Sequence, residues 1–169
     1  MGTARHDTVD RITGQWRDQR PDLDVSPIEI VGRISRLSRL IDRRLEENFA
    51  RFGIEAWMYD VLATLRRGGP PYELTAGELV QQSMVTTGAI TNRIDRLEQR
   101  GLVERASAAD RRKVIVRLTA AGFDLVEQVV DAHLATEHAL LGSLDERRRS
   151  QLAGLLRTLL HDLGDTPSP

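Results

Sequence analysis

One short stretch of this chain carries the side chains best suited to selective hydrogen bonding. Between Thr86 and Arg100, Ile90, Ile94 and Leu97 recur at i, i+4 and i+7, the spacing of a buried helix stripe. The opposite side of such a helix carries Gly88, Asn92, Asp95 and Gln99, flanked by Thr87 and Thr91, with Thr86 at the N-cap. Small and polar groups near a helix N-terminus suit a DNA major groove. A threonine hydroxyl can bond a phosphate and its methyl can touch thymine, while an asparagine amide can pair bidentately with adenine. Taken alone, the same pattern also describes an ordinary solvated helix face.

Charge distribution favours the first reading. The chain has 169 residues and a formal net charge of -1, so as a whole it carries no basic signature. Locally it does. Arg93, Arg96, Arg100, Arg105, Arg111, Arg112, Lys113 and Arg117 face only Asp95, Glu98, Glu104 and Asp110 in the same stretch. Such a patch is enough for phosphate contact on a neutral protein. The run Asp110-Arg111-Arg112-Lys113 lies between Leu102 to Ala106 and Val114 to Leu118, two alternating segments that read as strands of a hairpin. A basic hairpin tip beside a polar helix face is where phosphates or a minor groove would be met. Arg111 and Arg112 are both candidates. Asp110 can instead hold Arg112 in an ion pair and leave Arg111 to reach the DNA.

Several elements must position these groups. Thr75-Ala76-Gly77-Glu78 has the form of a capping box and opens a short helix to about Gln82, followed by a turn at Ser83 to Val85. Two short helices, a turn and a basic hairpin describe a winged helix-turn-helix. Longer helices flank it. Thr8 to Asp18 places Val9, Ile12 and Trp16 on one face, and Pro21 stops it. Ser26-Pro27-Ile28-Glu29 reads as a capped start for a helix that ends at Gly53. A third helix holds Trp57, Val61, Leu62 and Leu65 and breaks at Gly68-Gly69-Pro70-Pro71. Thr119 caps a long helix, and Ser143-Leu144-Asp145-Glu146 reads as the box opening a last one that ends near Gly164. The apolar stripes of these flanking helices exceed what a small winged domain can cover, so the outer helices are expected to pair with those of a second subunit.

In this setting Thr91-Asn92-Arg93-Ile94-Asp95-Arg96-Leu97-Glu98-Gln99-Arg100-Gly101-Leu102-Val103-Glu104-Arg105, Asp110-Arg111-Arg112 and Val116-Arg117-Leu118-Thr119-Ala120-Ala121-Gly122 resemble the MarR family, the multiple antibiotic resistance regulators. The resemblance spans roughly Ile28 to Leu163. It implies a homodimer on a near-palindromic duplex, reading by Thr86 to Arg93, a wing at Arg111, and control by phenolic or other small anions. A narrower resemblance lies in Gln15-Trp16-Arg17-Asp18-Gln19-Arg20-Pro21-Asp22-Leu23-Asp24, together with Asp60, Arg93 and Arg105. These are similar to the urate-responsive branch of that family. In that branch the residues corresponding to Trp16 and Arg93 hold the ligand, and those corresponding to Asp60 and Arg105 relay its arrival to the DNA-reading helices.

The residues themselves are compatible with this. Arg93 flanks the inward face of its helix, three after Ile90 and four before Leu97. An inward guanidinium needs an anionic partner, and Asp60 is a reasonable one in the resting state. The same positions also allow a permanent ion pair at the core edge, with Trp16 merely packing.

The exclusions are as informative. The chain contains no cysteine, which removes disulfides, thiol catalysis and thiolate metal sites. His133 and Glu137 form an i, i+4 pair with His138 nearby, but no third metal ligand is evident, and these read as solvated or interface residues. No paired carboxylates, nucleophile elbow or phosphate-binding glycine loop stands out, so neither an enzyme nor a cofactor is expected. No apolar run approaches the ~20 residues of a membrane span, and no apolar leader is present, so a cytoplasmic location is expected.

The expected fold is mainly α with a small β-hairpin wing: a winged helix-turn-helix with flanking dimerisation helices. Its divisions are an extension helix over 1–25, a winged domain over 26–164 with a DNA-binding core at about 54–119, and a disordered tail at 165–169. The expected DNA-binding residues are Thr86, Thr87, Gly88, Thr91, Asn92, Arg96, Arg111 and Arg112. The expected function is a repressor released from DNA by a small anion such as urate. The alternative is a winged-helix protein-interaction module that does not bind DNA, although such modules tend to expose apolar surface where this chain is polar.

Overall fold

The computed structural model describes residues 6–83, 90–107 and 114–166. By contact the chain divides into two compact units, Met1–Glu47 and Asn48–Pro169.

The first unit is built on helix α1 (Thr8–Gln19) and most of helix α2 (Ser26–Ala50). Asp7 caps α1. Its carboxylate accepts from the N–H groups of Val9 and Asp10, and Asp10 reaches back to the Asp7 N–H to close a capping box. Val9 is buried, and its Cγ1 lies where a side chain on Gly32 would meet it at 3.4 Å, so α1 packs closely on α2 at that glycine. Arg33 fastens the contact by donating to Asp7 at 2.8 Å and to Asp10 at 2.6 Å. The start of α2 differs from the sequence expectation. Ser26 lies inside the helix, and its N–H is taken by the Asp24 carboxylate at 2.9 Å. Glu29 closes no box because Arg17 of α1 draws it into an ion pair.

In the second unit the last turn of α2 closes on Gly53, whose φ of +65° suits a residue without a Cβ. Helix α3 (Ala56–Arg67) buries Met58, Val61, Leu62 and Leu65. Strand β1 (Glu73–Thr75) leads into helix α4 (Ala76–Gln82). After helix α5 (Ile90–Gln99) come strands β2 (Val103–Ser107) and β3 (Val114–Leu118). The three strands form an antiparallel sheet in the order β1-β3-β2, with Leu74 and Arg105 both opposite Val116. The expected hairpin is present, with an additional edge strand. Three residues are too short to show an alternating pattern, so β1 carried no signal of its own.

Helix α6 (Ala120–Leu140) is capped by Thr119, whose hydroxyl accepts from the Gly122 N–H. It packs on α3, joined at the edge by Arg66, which donates to Glu127 at 2.7 Å beneath the rings of Tyr72 and Phe123. Helix α7 (Glu146–Asp162) is capped by Asp145, not by Ser143 as the sequence suggests. Among the described residues none of α7 is buried, with Leu155 67% exposed and the C-cap Leu163 84% exposed, so that apolar face is largely open. No described helix is long and apolar enough to cross a membrane.

Candidate nucleic-acid interface and effector residues

The site is assembled on α4 and α5. Thr75 and Glu78 form the capping box expected for α4, with the Thr75 hydroxyl accepting from the Glu78 N–H and Glu78 accepting from the Thr75 N–H. Leu79 anchors α4 in the core, and the helix ends at Ser83. Thr86, Thr87 and Gly88 lie outside the described residues, as do Arg111 and Arg112.

Within α5 the described residues sort by face as the 3.6-residue period requires. Ile90, Ile94 and Leu97 are buried, while Thr91, Asn92 and Arg96 are exposed. Asp95 departs from expectation. It is not free on the outward face, because Arg105 of β2 binds both Asp95 and Glu98. Hydrogen bonding to Asp95, the foremost cause, raises the affinity of Arg105 for its proton. Strand β2 and helix α5 are thus joined by one guanidinium and two carboxylates.

The arginines within α5 and just past its end are also engaged. Arg96 donates to Glu55 at 2.5 Å, with its guanidinium carbon 4.7 Å from the centre of the Trp57 ring. Arg93 lies over the same ring at 5.5 Å. Arg100 donates to the Gly53 carbonyl at 3.0 Å. Nη1 of Arg93 makes no hydrogen bond to Asp60 or to any other acceptor. Arg93 turns to the indole face, and this Nη1 is buried. On α3, the Asp60 backbone carbonyl accepts from the Thr64 hydroxyl at 2.7 Å. Trp16 belongs to the first unit, where it is 45% exposed and lines a shallow cavity of about 320 Å³ with Ile12, Gln15 and Gln19.

Of the four proposed effector residues, Arg93 and Arg105 thus act on separate partners. Glu55 and Trp57 were not anticipated as partners. Trp57 matched the apolar stripe of its helix, and nothing in the local sequence of Glu55 points forty-one residues ahead to Arg96. The His133 ring stacks on Phe49 at 5.4 Å, lies tilted against Tyr59 at 4.6 Å, and its Nε2 is 3.2 Å from a Glu137 carboxylate oxygen. Among the described residues no group of three or more His, Cys, Asp or Glu could hold a metal.

Comparison with known proteins agrees with this architecture. A model described as MarR family matches residues 52–113. The transcriptional regulator PecS of Dickeya dadantii is 42% identical over 154 residues, covering 90% of this chain and 93% of that protein. A cysteine-to-serine mutant of Escherichia coli MarR, solved in complex with operator DNA, superposes with a TM-score of 0.71 at 30% identity, covering 82% of this chain and 99% of that one. Bordetella bronchiseptica BpsR, solved in a study of how 6-hydroxynicotinic acid regulates its DNA binding, gives a TM-score of 0.68 at 25% identity, over 77% and 93% of the two chains.

Proposed function

This chain belongs to the MarR family of transcriptional regulators, and we propose that it is a dimeric repressor released from DNA by a small anion. The observation that carries the reading is the sorting of α5: its apolar residues are buried while Thr91 and Asn92 stand exposed beside a three-stranded wing. A helix so arranged enters the major groove, with Asn92 reading adenine and Thr91 contacting phosphate or thymine methyl. Thr86, Thr87 and Gly88 complete the reading surface, and Arg111 and Arg112 meet the flanking backbone. The E. coli relative solved on operator DNA supports the same docking. The exposed face of α5 is polar, which favours DNA over the protein-interaction alternative.

Dimerisation is supported by α7, which buries no residue among the described ones and leaves Leu155 and Leu160 more than half exposed. Two reading helices related by a two-fold axis require half-sites about one helical turn (~10 bp) apart. Release by an anion is supported by the buried, unpaired Nη1 of Arg93 and by the ligand-regulated relative from B. bronchiseptica. Urate is the anion we propose, with Arg93 as its cationic contact, Trp16 as its aromatic contact, and Asp60 and Arg105 relaying its arrival. A ligand shifts such an equilibrium only by its difference in affinity between the two states.

The test is selection of bound sequences from random duplexes, followed by mobility shift on the selected site with and without urate. The expected result is a near-palindrome bound at nanomolar to tens of nanomolar concentration and released by urate, with release weakened in Arg93→Ala and Trp16→Ala. Binding that urate, xanthine and related anions all leave unchanged would reject the effector while preserving the DNA-binding function.

A further inference from the structure

Among the residues of α5 set out for phosphate contact by their type, Arg96 is the one whose guanidinium is already occupied on two sides. Glu55 takes its Nη2 at 2.5 Å, and the Trp57 ring lies beneath it at 4.7 Å. Glu55 is the N-cap residue of α3 and has the extended backbone of a cap, with φ -96° and ψ 156°. Its side chain nevertheless makes no capping hydrogen bond. The longer glutamate arm reaches away from its own helix to α5, where aspartate would serve the cap instead. Hydrogen bonds from the Trp57 side chain and then from Arg96 hold the Glu55 carboxyl below its ordinary range. Just past the end of α5, Arg100 grips the α2–α3 turn through the Gly53 carbonyl at 3.0 Å and the start of α3 through the Met58 Sδ at 3.1 Å.

We infer that Glu55, Trp57 and Arg96 form a staple that fixes the orientation of α5, with Arg96 a positioning residue and not a phosphate ligand. A reading helix held only by its buried stripe can still rock about that stripe. Two guanidiniums at i and i+4, anchored to one rigid turn, resist rocking and hold Asn92 in register with the base edges. The staple therefore acts on discrimination, whereas a phosphate contact acts on affinity for every sequence alike.

The inference rests on the DNA-binding reading, so one arm of its test needs no DNA. Glu55→Asp keeps the charge, can cap α3 and is too short to hold Arg96. Arg96→Gln removes the cation. In the free protein, α5 amides of Glu55→Asp should exchange hydrogen several-fold faster than those of the wild type, while α6 amides keep their rate. On the selected duplex both variants should bind about three- to tenfold more weakly, with a lower ratio of cognate to random affinity. Their salt dependence should match the wild type, and the double variant should be little worse than either single one. Unchanged exchange along α5 in Glu55→Asp would overturn the staple whether or not the protein binds DNA. So would a salt slope lowered by about 0.9 in Arg96→Gln, the mark of one lost phosphate contact, alongside normal binding by Glu55→Asp. Failure of the wild type to bind any duplex, with faster α5 exchange in Glu55→Asp, would reject the DNA-binding reading and leave the staple standing.

Discussion

The Cβ that Gly122 lacks would overlap the Leu102 carbonyl oxygen and lie 2.9 Å from the carbonyl carbon. That carbonyl also accepts from the Thr119 N–H at 3.2 Å, so the first turn of α6 and the turn after α5 are in backbone contact. Backbone cannot swing aside as a side chain can. Gly122→Ala should therefore destabilise by at least about 1 kcal/mol, because overpacking outweighs the ~1 kcal/mol a helix gains when glycine is replaced. Gly14 in α1 has nothing within 4 Å of its Cβ position, so Gly14→Ala should be neutral or stabilising. Urea unfolding should show the midpoints moving in opposite directions with a shared slope.

Arg105 neutralises two carboxylates of α5, the helix proposed to read DNA. Arg105→Gln should weaken binding to cognate and random duplexes alike, since it leaves Asp95 and Glu98 uncompensated. Adding Asp95→Asn should recover part of the loss. Fluorescence anisotropy on labelled duplexes checks both steps, and a double variant worse than Arg105→Gln alone would contradict the electrostatic account.

Asn92 and Arg111 are proposed to contribute in different ways. Asn92→Ala should cost about 1–3 kcal/mol on the cognate site and relax base preference there. Arg111→Ala should weaken all sequences and reduce the salt slope by about 0.9. Equal losses on cognate and random DNA for both variants would show that the division of labour is wrong.

The exposed leucines of α7 predict the assembly state. Leu155, 67% exposed, is the most exposed of those within the helix. Leu155→Glu should shift the protein toward monomer in sedimentation experiments and lower operator affinity in parallel, because a single reading helix meets only one half-site. A wild-type monomer at micromolar concentration that still grips one half-site tightly would count against the dimer.

Acid should act on α1 through its cap. Hydrogen bonding from the Asp10 N–H, with help from Arg33 and the Val9 N–H, holds the Asp7 carboxyl below its ordinary range. The Asp7 N–H and then Arg33 do the same for Asp10. A carboxyl depressed in the folded state contributes stability that is complete above its unfolded value, near 3.9 for an ordinary aspartate. That contribution falls away as pH drops through the lower folded value. The cap's contribution should therefore be complete above about pH 4 and decline as pH falls from there through the depressed folded value. Carbon-13 titration of the two carboxyls should give midpoints under the ordinary value, rising in Arg33→Gln.

Much of this molecule is local in origin. The Ile90, Ile94 and Leu97 stripe, the Thr75–Glu78 box and the Thr119 cap each involve partners three or four residues apart, so the chain itself brings them together. For the same reason strand β3 lies where its alternation places it. Capping at the other helix starts shows where local reasoning ends. Ser26 and Glu29 have the form of a box, yet Asp24 and Arg17 take those groups, because a competing partner from outside the motif is closer. The arginines of α5 show the same limit more sharply. Their types and spacing are plain in the sequence, and so is the basic character of the region. Which guanidinium stays available for DNA depends on where α3 and β2 cross α5. That crossing sets Glu55 and Trp57 against Arg96, the same indole against Arg93, and Arg105 against Asp95. A long, flexible cation pairs with whichever carboxylate or ring the packing brings within a few ångströms, and only the tertiary structure decides that distance.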